Sequence, residues 1–184
     1  RIYLAERALM AGIQNVLFAD IRTVEDAELA VRAVRTEPKG LNGFRMDRRV
    51  GYVSCIASPE DVVKMCDDAV VALMIEKKTA VENLEEILSV DGVDMVQFGP
   101  SDYSLSIGLP GQRNHPKVRE AELKTIKTAL KMDVAPRAEI SRPEDAKIYI
   151  ELGVRNFSIG TDVSILYRWW KQNGEELKKL LSKI

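Results

Sequence analysis

The sequence predicts an α/β fold built on a parallel sheet. Five apolar runs of strand length recur along the 184-residue chain, at residues 15–19, 70–75, 94–98, 134–140 and 156–160. Most of them are nearly continuous rather than alternating, which is typical of strands that are buried on both faces. Helical patterns lie between the runs, and a regular alternation of strands and helices is typical of parallel α/β folds.

Helical periodicity fills the intervals between these predicted strands. In residues 24–35, apolar side chains recur with the i, i+3, i+4, i+7 spacing of a helix face. Similar patterns predict further helices over residues 60–69, 78–88, 117–132, 143–152, 162–172 and 174–183. Residues 36–57 form the longest irregular stretch, and we expect a loop there.

Two architectures fit this alternation, an open doubly wound sheet and an eight-stranded (β/α)8 barrel. The sequence supplies about five strands, whereas a closed barrel usually needs about 250 residues. Either the sheet is open or the chain lacks about the first three βα units of a barrel. The chain begins in a helix-like segment with no strand ahead of it, which favours the second reading. We therefore expect residues 1–184 to be a single, partial barrel domain.

Composition and charge exclude several classes of function. The chain is 46% hydrophobic and 30% charged with a net charge of −1, so it has no global basic field to attract nucleic acid or an anionic membrane. No apolar run reaches the roughly 18 residues that span a bilayer. The first residues, RIYLAERALMAG, lack a signal-peptide pattern. We expect a cytoplasmic protein that binds neither nucleic acid nor membrane.

Acidic residues follow the predicted strands, where parallel α/β folds build their sites. Asp20 follows the first strand, and Glu76 and Asp102 follow two consecutive later ones. Neighbouring strands lie about 4.8 Å apart, so two carboxylates there repel unless a cation or a shared proton separates them. Oxygen ligands without a nearby histidine or cysteine favour Mg²⁺ or Mn²⁺. The alternative is that both acids cap helices or pair with Lys77, Lys78 or other surface cations.

The segment between the third strand and Asp102 has the composition of a carboxylate-binding turn. Gly99 permits close backbone approach, and the N–H groups around Ser101 and Asp102 could hold a substrate carboxylate. Two protein carboxylates leave coordination positions for water and substrate. Such an open site suits a Lewis acid that chelates a small oxo acid and stabilises an enolate.

Two other polar features receive structural interpretations. His115 is the only histidine, and it precedes the predicted helix at 117–132, away from the strand ends, which favours a capping or packing role. Arg137 and Glu139 are two residues apart on one strand and so point to the same side, as a buried pair or as part of a polar pocket.

Residues 74–111 and their flanks resemble the signature of the HpcH/HpaI aldolase family. The family pattern is an I-E-T-like turn, then N-L-x-x-I-L-x-V-x-G-V-D, a G-P-x-D-L-S element and H-P-x-V. The resemblance spans essentially the whole chain, with many matches in order. The matching residues are Ile75-Glu76, Asn83-Leu84, Ile87-Leu88, Gly92-Val93-Asp94, Gly99-Pro100-Ser101-Asp102-Tyr103-Ser104 and His115-Pro116-Lys117-Val118.

This resemblance implies a metal-dependent class II pyruvate aldolase on a (β/α)8 TIM barrel of the phosphoenolpyruvate/pyruvate type. It implies that Glu76 and Asp102 bind Mg²⁺ or Mn²⁺, with Co²⁺ as a further option. Ser101 and the backbone around Gly99 and Pro100 would bind the substrate carboxylate. The implied reaction is the reversible cleavage of a 4-hydroxy-2-oxo acid to pyruvate, through its enolate, and an aldehyde.

The sequence also departs from the family pattern. The family's general base, a histidine, and its enolate-stabilising arginine would both fall upstream of Arg1, so no catalytic residue is assigned in this chain. Met10 stands where the family has an acid. Met74 stands where the family usually has a substrate-binding glutamine, and the resemblance implies that Met74 lines the substrate site together with Asp102.

The resemblance further implies a hexamer in which residues 162–184 pack as helices on a neighbouring subunit, with a hinge at Gly174. Two other functions remain open. One is a citrate-lyase-like carbon–carbon lyase on the same barrel. The other is a non-catalytic family member that acts as a binding or assembly module, an alternative suggested by Met10 and Met74.

Overall fold

The computed structural model describes residues 2–44 and 58–183. Its centre is a five-stranded sheet in which every pair of neighbouring strands is parallel. All five predicted strands are confirmed, with ends that differ by one residue at most. They are β1 (Asn15–Phe18), β2 (Val70–Ile75), β3 (Met95–Phe98), β4 (Ala135–Ile140) and β5 (Asn156–Ile159).

The order of the strands decides between the two architectures. The sheet runs β1-β2-β3-β4-β5, so each strand lies beside its neighbour in the chain. A doubly wound sheet reverses direction at a switch point, whereas a (β/α) barrel adds each new strand on the same side. The sequential order therefore has the winding of a barrel, and the sheet is a curled half-barrel of five strands.

Helices precede, connect and follow the strands, and all but the one at Pro100–Ser106 lie where the sequence predicts helical structure. They are α1 (Ile2–Met10), α2 (Val24–Val34), α3 (Pro59–Asp67), α4 (Lys78–Glu82), α5 (Leu84–Leu88), α6 (Pro100–Ser106), α7 (Pro116–Lys131), α8 (Ala146–Leu152) and α9 (Asp162–Leu181). The predicted loop at 36–57 lies largely outside the described residues. Its first part holds one isolated bridge between Thr36 and Asn42.

Four predicted helices differ in detail from the observed ones. The helix predicted over 78–88 is broken at Asn83 into two short helices, and the one over 143–152 begins as a 3₁₀ turn at Pro143–Asp145. The two helices predicted at the C-terminus are one continuous helix, so the hinge at Gly174 is wrong. A single glycine weakens a helix by only about 1 kcal/mol, which does not suffice to break a 20-residue helix.

Local sequence signals explain where the helices start and stop. The side chain of Thr23 caps α2 and forms a capping box with Asp26. Ser58 caps α3, and Pro59 follows at the first helical position, where its missing N–H costs nothing. Gly153 ends α8 in the left-handed conformation with φ of 104°.

The two faces of the sheet differ in chemistry. One face packs against the helices in the main core, which includes Leu73, Ile75 and Val96. The other face carries a row of residues in register across four strands, namely Met74, Gln97, Arg137 and Asn156. This inner face is the more polar of the two, as expected for the interior of a site-bearing half-barrel.

None of the residues of the C-terminal helix α9 is buried. Its large apolar side chains, including Leu166, Trp170 and Leu177, are all more than half exposed. Among residues 2–44 and 58–183, every helix is too short or too polar to cross a bilayer.

Candidate functional site

Glu76 lies just beyond the end of β2, and its side chain is buried, with only 7% of the residue exposed. Oε1 of Glu76 accepts a hydrogen bond of 2.9 Å from the backbone N–H of Asp20 at the end of β1. Within the described part of the chain, no lysine or arginine forms an ion pair with Glu76. A buried carboxylate that has one hydrogen bond and no ion pair is a favourable ligand for a cation.

Gly99 lies against this carboxylate from the neighbouring strand. A Cβ placed on Gly99 would stand 2.8 Å from Cβ and 2.9 Å from Oε2 of Glu76, and 3.3 Å from Sδ of Met74. Any larger residue would therefore displace the glutamate. The structure brings together three of the predicted site residues, Met74, Glu76 and Gly99, on the inner side of the sheet.

The next residues form the first turn of α6. Pro100 begins the helix, and Ser101 and Asp102 are exposed at its start, so their side chains are accessible from solvent. The hydroxyl of Ser104 is buried and donates a hydrogen bond of 2.7 Å to the carbonyl oxygen of Ser101, which fixes the backbone of this turn. Ser101 and Asp102 thus stand on a well-anchored segment beside Gly99.

Lys77 lies between two of the acids. Its ammonium nitrogen is 2.9 Å from Oδ1 of Asp20 and 3.9 Å from Oδ1 of Asp102, and its side chain is only 15% exposed. One of the alternatives left open by the sequence, that Asp102 pairs with Lys77, is therefore present in the structure. Lys78 instead points outward and pairs with Glu82 on its own helix.

Asp20 and Lys77 were not predicted as members of the site. Asp20 has a positive φ of 61°, which is uncommon for a residue other than glycine and tends to occur at functional positions. Its place directly after the first strand is the signal that could have identified it. Lys77 follows Glu76 in sequence, but a lysine beside an acid is too common a pattern to identify a site.

The ligand atoms that the acidic residues of the site offer are of the type that a hard divalent cation prefers. Glu76 and Asp102 offer carboxylate oxygens, which Mg²⁺ and Mn²⁺ prefer, and leave room for water and substrate oxygens. Within the described residues, no three histidine, cysteine or acidic side chains are grouped as a complete metal-binding set. Glu76 and Asp102 could supply two protein ligands, and the Lys77 ammonium would be a second positive charge beside a cation bound there.

The inner face beside Met74 also carries a buried amide. Gln97 is 4% exposed, and its Oε1 lacks a hydrogen-bond partner in the part of the chain that the structure describes. Its Nε2 lies 3.5 Å from Oε2 of Glu139. No ion pair joins Arg137 to Glu139 among these residues, so the two form part of a polar surface rather than an isolated pair.

His115 has the structural role expected from the sequence. It occupies the N-cap of α7, and its Nδ1 accepts a hydrogen bond of 3.2 Å from the backbone N–H of Lys117. The imidazole of His115 is therefore bound to the backbone at the start of α7 and is not directed toward the strand ends. Within the described residues, no histidine stands beside Glu76 or Asp102 to act as a base.

A second polar cluster lies between α7 and α8, beside a cavity of about 740 Å³. The hydroxyl of Tyr149 donates a hydrogen bond of 2.8 Å to Oε1 of the buried Glu122, and Arg119 pairs with the other oxygen. Burial, and after it the charge of Glu122, raises the pKa of Tyr149 above its ordinary value. These contacts tie α8 to α7 and have a structural role.

Comparisons with known proteins agree with this architecture and sequence pattern. The sequence model of the family described as HpcH/HpaI aldolase/citrate lyase matches residues 3–168. A 4-hydroxy-2-oxo-heptane-1,7-dioate aldolase of Klebsiella pneumoniae is 35% identical over 168 residues, which cover 89% of this chain and 61% of that protein. An Escherichia coli protein of the same name is 34% identical, with 89% and 62% covered. The chain thus spans about three fifths of the length of these curated relatives.

Solved structures show the same fold. A HpcH/HpaI aldolase/citrate lyase family protein from Burkholderia cenocepacia superposes with a TM-score of 0.83 at 29% identity, covering 97% of this chain and 70% of that one. Macrophomate synthase superposes with a TM-score of 0.82 at 23% identity, covering 100% of this chain and 64% of that one, which supports the fold alone. The match to the family model over residues 3–168 shows that this chain belongs to the HpcH/HpaI aldolase/citrate lyase family.

Proposed function

We propose that the protein is a metal-dependent aldolase that reversibly cleaves a 4-hydroxy-2-oxo acid to pyruvate and an aldehyde. The observation that carries the proposal is the packing of Glu76 against Gly99, with Asp102 on the turn that follows. This geometry sets two carboxylates beside an accessible backbone turn. The names of the curated relatives, which describe aldolases of a hydroxy-oxo acid, support the same reaction class.

In this proposal Glu76 and the residues of the turn from Gly99 to Asp102 have distinct roles. Glu76 and Asp102 hold Mg²⁺ or Mn²⁺, or Co²⁺ in their place. Ser101 and the backbone from Gly99 to Asp102 bind the carboxylate of the oxo acid, because N–H groups at the start of a helix are oriented toward an anion. Pro100 fixes the direction in which the turn leaves the strand.

A bound cation would polarise the oxo group of the substrate and so favour the enolate of pyruvate as the carbon–carbon bond breaks. The chain's own part is to orient the substrate and to exclude water from one side of it. Met74 serves the second purpose, since its sulfur lies beside Gly99 on the inner face. The row of Gln97 and Arg137 next to it offers polar contacts to the rest of the substrate.

The proton transfer requires a base that the described residues do not supply near Glu76. We propose that the full-length protein carries about three further βα units ahead of Arg1, with the histidine base and the enolate-stabilising arginine. Two observations support this. The sequential strand order is that of a barrel, and the chain covers 61% of the Klebsiella pneumoniae relative.

We also propose that the protein works in the cytoplasm as a homohexamer, with residues 162–184 packed on a neighbouring subunit. The exposed apolar side chains of α9 support this proposal, because a soluble monomer rarely exposes so much apolar surface on one helix.

The decisive experiment is pyruvate enolisation by a full-length protein that includes the upstream units. Exchange of the methyl protons of pyruvate with D₂O, followed by proton NMR, should occur with Mg²⁺ and stop when the metal is chelated. Exchange that persists in excess chelator would contradict the metal dependence. If the full-length protein catalyses no exchange at all, the aldolase proposal is wrong.

A second candidate is a non-catalytic binding or assembly module. The observation that favours it is the Lys77 ammonium, which already neutralises part of the charge on Asp20 and Asp102. Binding of pyruvate or oxalate without any exchange would support this candidate. A citrate-lyase-like activity would instead appear as cleavage of a CoA thioester or a tricarboxylate, with no cleavage of a hydroxy-oxo acid.

A further inference from the structure

The side chain of Lys77 is largely buried between two carboxylates of the candidate site. Lysine is rarely buried unless it is paired, yet the side chain of Lys77 is only 15% exposed. It follows Glu76 directly, and its nitrogen reaches the two carboxylates on either side, Asp20 at the end of β1 and Asp102 on α6. The chain thus places the Lys77 ammonium between two carboxylates.

The two contacts of this ammonium are unequal. The contact with Asp20 is 2.9 Å, a direct charge-assisted hydrogen bond, whereas the contact with Asp102 is 3.9 Å, too long for a hydrogen bond. Asp20 is therefore the principal partner. The left-handed backbone at Asp20 also directs its N–H to Glu76, so one residue positions both the carboxylate and the lysine.

From this geometry we propose that Lys77 is a tethered counter-ion that weakens the binding of a divalent cation, and that Asp20 limits this effect by holding the ammonium away from Asp102. The inference rests on the proposed role of Glu76 and Asp102 as metal ligands. A cation between these ligands is repelled by the ammonium, and the repulsion acts over a short distance at a partly buried site. Lys77 is here a positioning residue and takes no part in the chemistry.

The test is the Mn²⁺ dissociation constant of the full chain, measured by isothermal titration calorimetry and by the EPR signal of free Mn²⁺. K77M removes the charge and keeps the length of the side chain, and it should bind Mn²⁺ about tenfold more tightly than the wild type, by Coulomb's law at an intermediate dielectric. K78M removes the same charge one residue away and should alter the constant by less than about twofold, since exposed charges are screened by solvent.

A double-mutant cycle tests the role of Asp20. Asparagine tolerates the left-handed backbone, so D20N should keep the fold while releasing the ammonium toward Asp102. D20N should weaken Mn²⁺ binding about tenfold in the wild type and by clearly less in the K77M background, because the second variant has no ammonium to release. Equal effects of D20N in both backgrounds would overturn the role of Asp20.

The outcomes separate this inference from the proposed function. Measurable Mn²⁺ binding that is the same in the wild type, K77M and K78M overturns the role of Lys77 and leaves the metal site intact. Absence of Mn²⁺ binding in every variant, K77M included, overturns both. Circular dichroism confirms that each variant is folded, and K77Q replaces K77M if the methionine variant fails to fold.

Discussion

Gly99 packs so closely on Glu76 that a single added methyl group would stand 2.9 Å from the Oε2 atom of the carboxylate. Real Cβ atoms essentially never approach so closely, so the pair permits one residue type at position 99. The contact joins the ends of β2 and β3. It also determines where the buried carboxylate points.

The first prediction concerns this contact. In G99A the glutamate has to move away from the new methyl group, so Mn²⁺ affinity should fall at least about tenfold. Titration calorimetry provides the measurement. G174A is the matched control, because a Cβ at Gly174 meets no atom within 4 Å, and it should leave the affinity unchanged. The alanine there should also stabilise α9 by about 1 kcal/mol. Unaltered Mn²⁺ binding by G99A would mean that Glu76 is not a ligand.

The second prediction concerns the two carboxylates themselves. E76Q and D102N keep the shape of each side chain and remove its charge, so each should lower Mn²⁺ affinity by more than about a hundredfold. EPR detection of bound Mn²⁺ would measure this. Stoichiometric Mn²⁺ retained by either variant would refute its assignment as a ligand.

The third prediction concerns the C-terminal helix. Leu166, Trp170 and Leu177 recur along one side of α9, and all are more than half exposed. W170E should weaken subunit association at least tenfold, because truncating an interface tryptophan often costs about 2 kcal/mol or more. Sedimentation velocity at several concentrations would show it. Q172E adds the same charge at a polar position and should have little effect. A monomeric wild type would contradict the proposed assembly.

The fourth prediction concerns the pH dependence of stability. Burial and Glu122 raise the pKa of Tyr149, so the folded state holds the phenol proton more tightly than the unfolded state does. This contribution to stability is complete below about pH 10, the ordinary tyrosine pKa, and is lost as pH rises through the folded-state pKa. Urea unfolding should therefore show a steeper loss of stability above pH 10 in the wild type than in Y149F.

Y149F also loses the hydrogen bond to Glu122, which should lower stability by about 1 kcal/mol at neutral pH. Burial, followed by the charges of Glu82 and Glu120, likewise raises the pKa of Tyr103. Part of the pH dependence should therefore remain in Y149F and disappear in the double variant with Y103F. Identical pH profiles for the wild type and Y149F would show that Tyr149 does not contribute.

The strands and most helices could be predicted because hydrophobic periodicity and capping residues such as Thr23 act locally. The positions of Glu76 after β2 and of Asp102 after β3 could be predicted because consecutive parallel strands end at one edge of a sheet, whereas their role as ligands stays a prediction. The contact between Lys77 and Asp20 could not, because it depends on a backbone turn and a side-chain direction that only the folded sheet determines. The break at Asn83 depends on tertiary packing, which overrides weak local preferences, whereas α9 continues through Gly174 because one glycine costs a helix only about 1 kcal/mol.

The exposure of α9 has a consequence for the stability of a subunit that has not yet assembled. A helix without buried residues gains little hydrophobic stabilisation from its own domain, and isolated helices are marginal in water. If α9 packs on a neighbouring subunit as proposed, its order depends on that contact. In the proposed hexamer, dilution would both separate the subunits and unwind this helix, and an unassembled subunit would present a protease with a cleavable, apolar segment. Proteolysis at an uncovered α9 would in this way remove subunits that have not assembled.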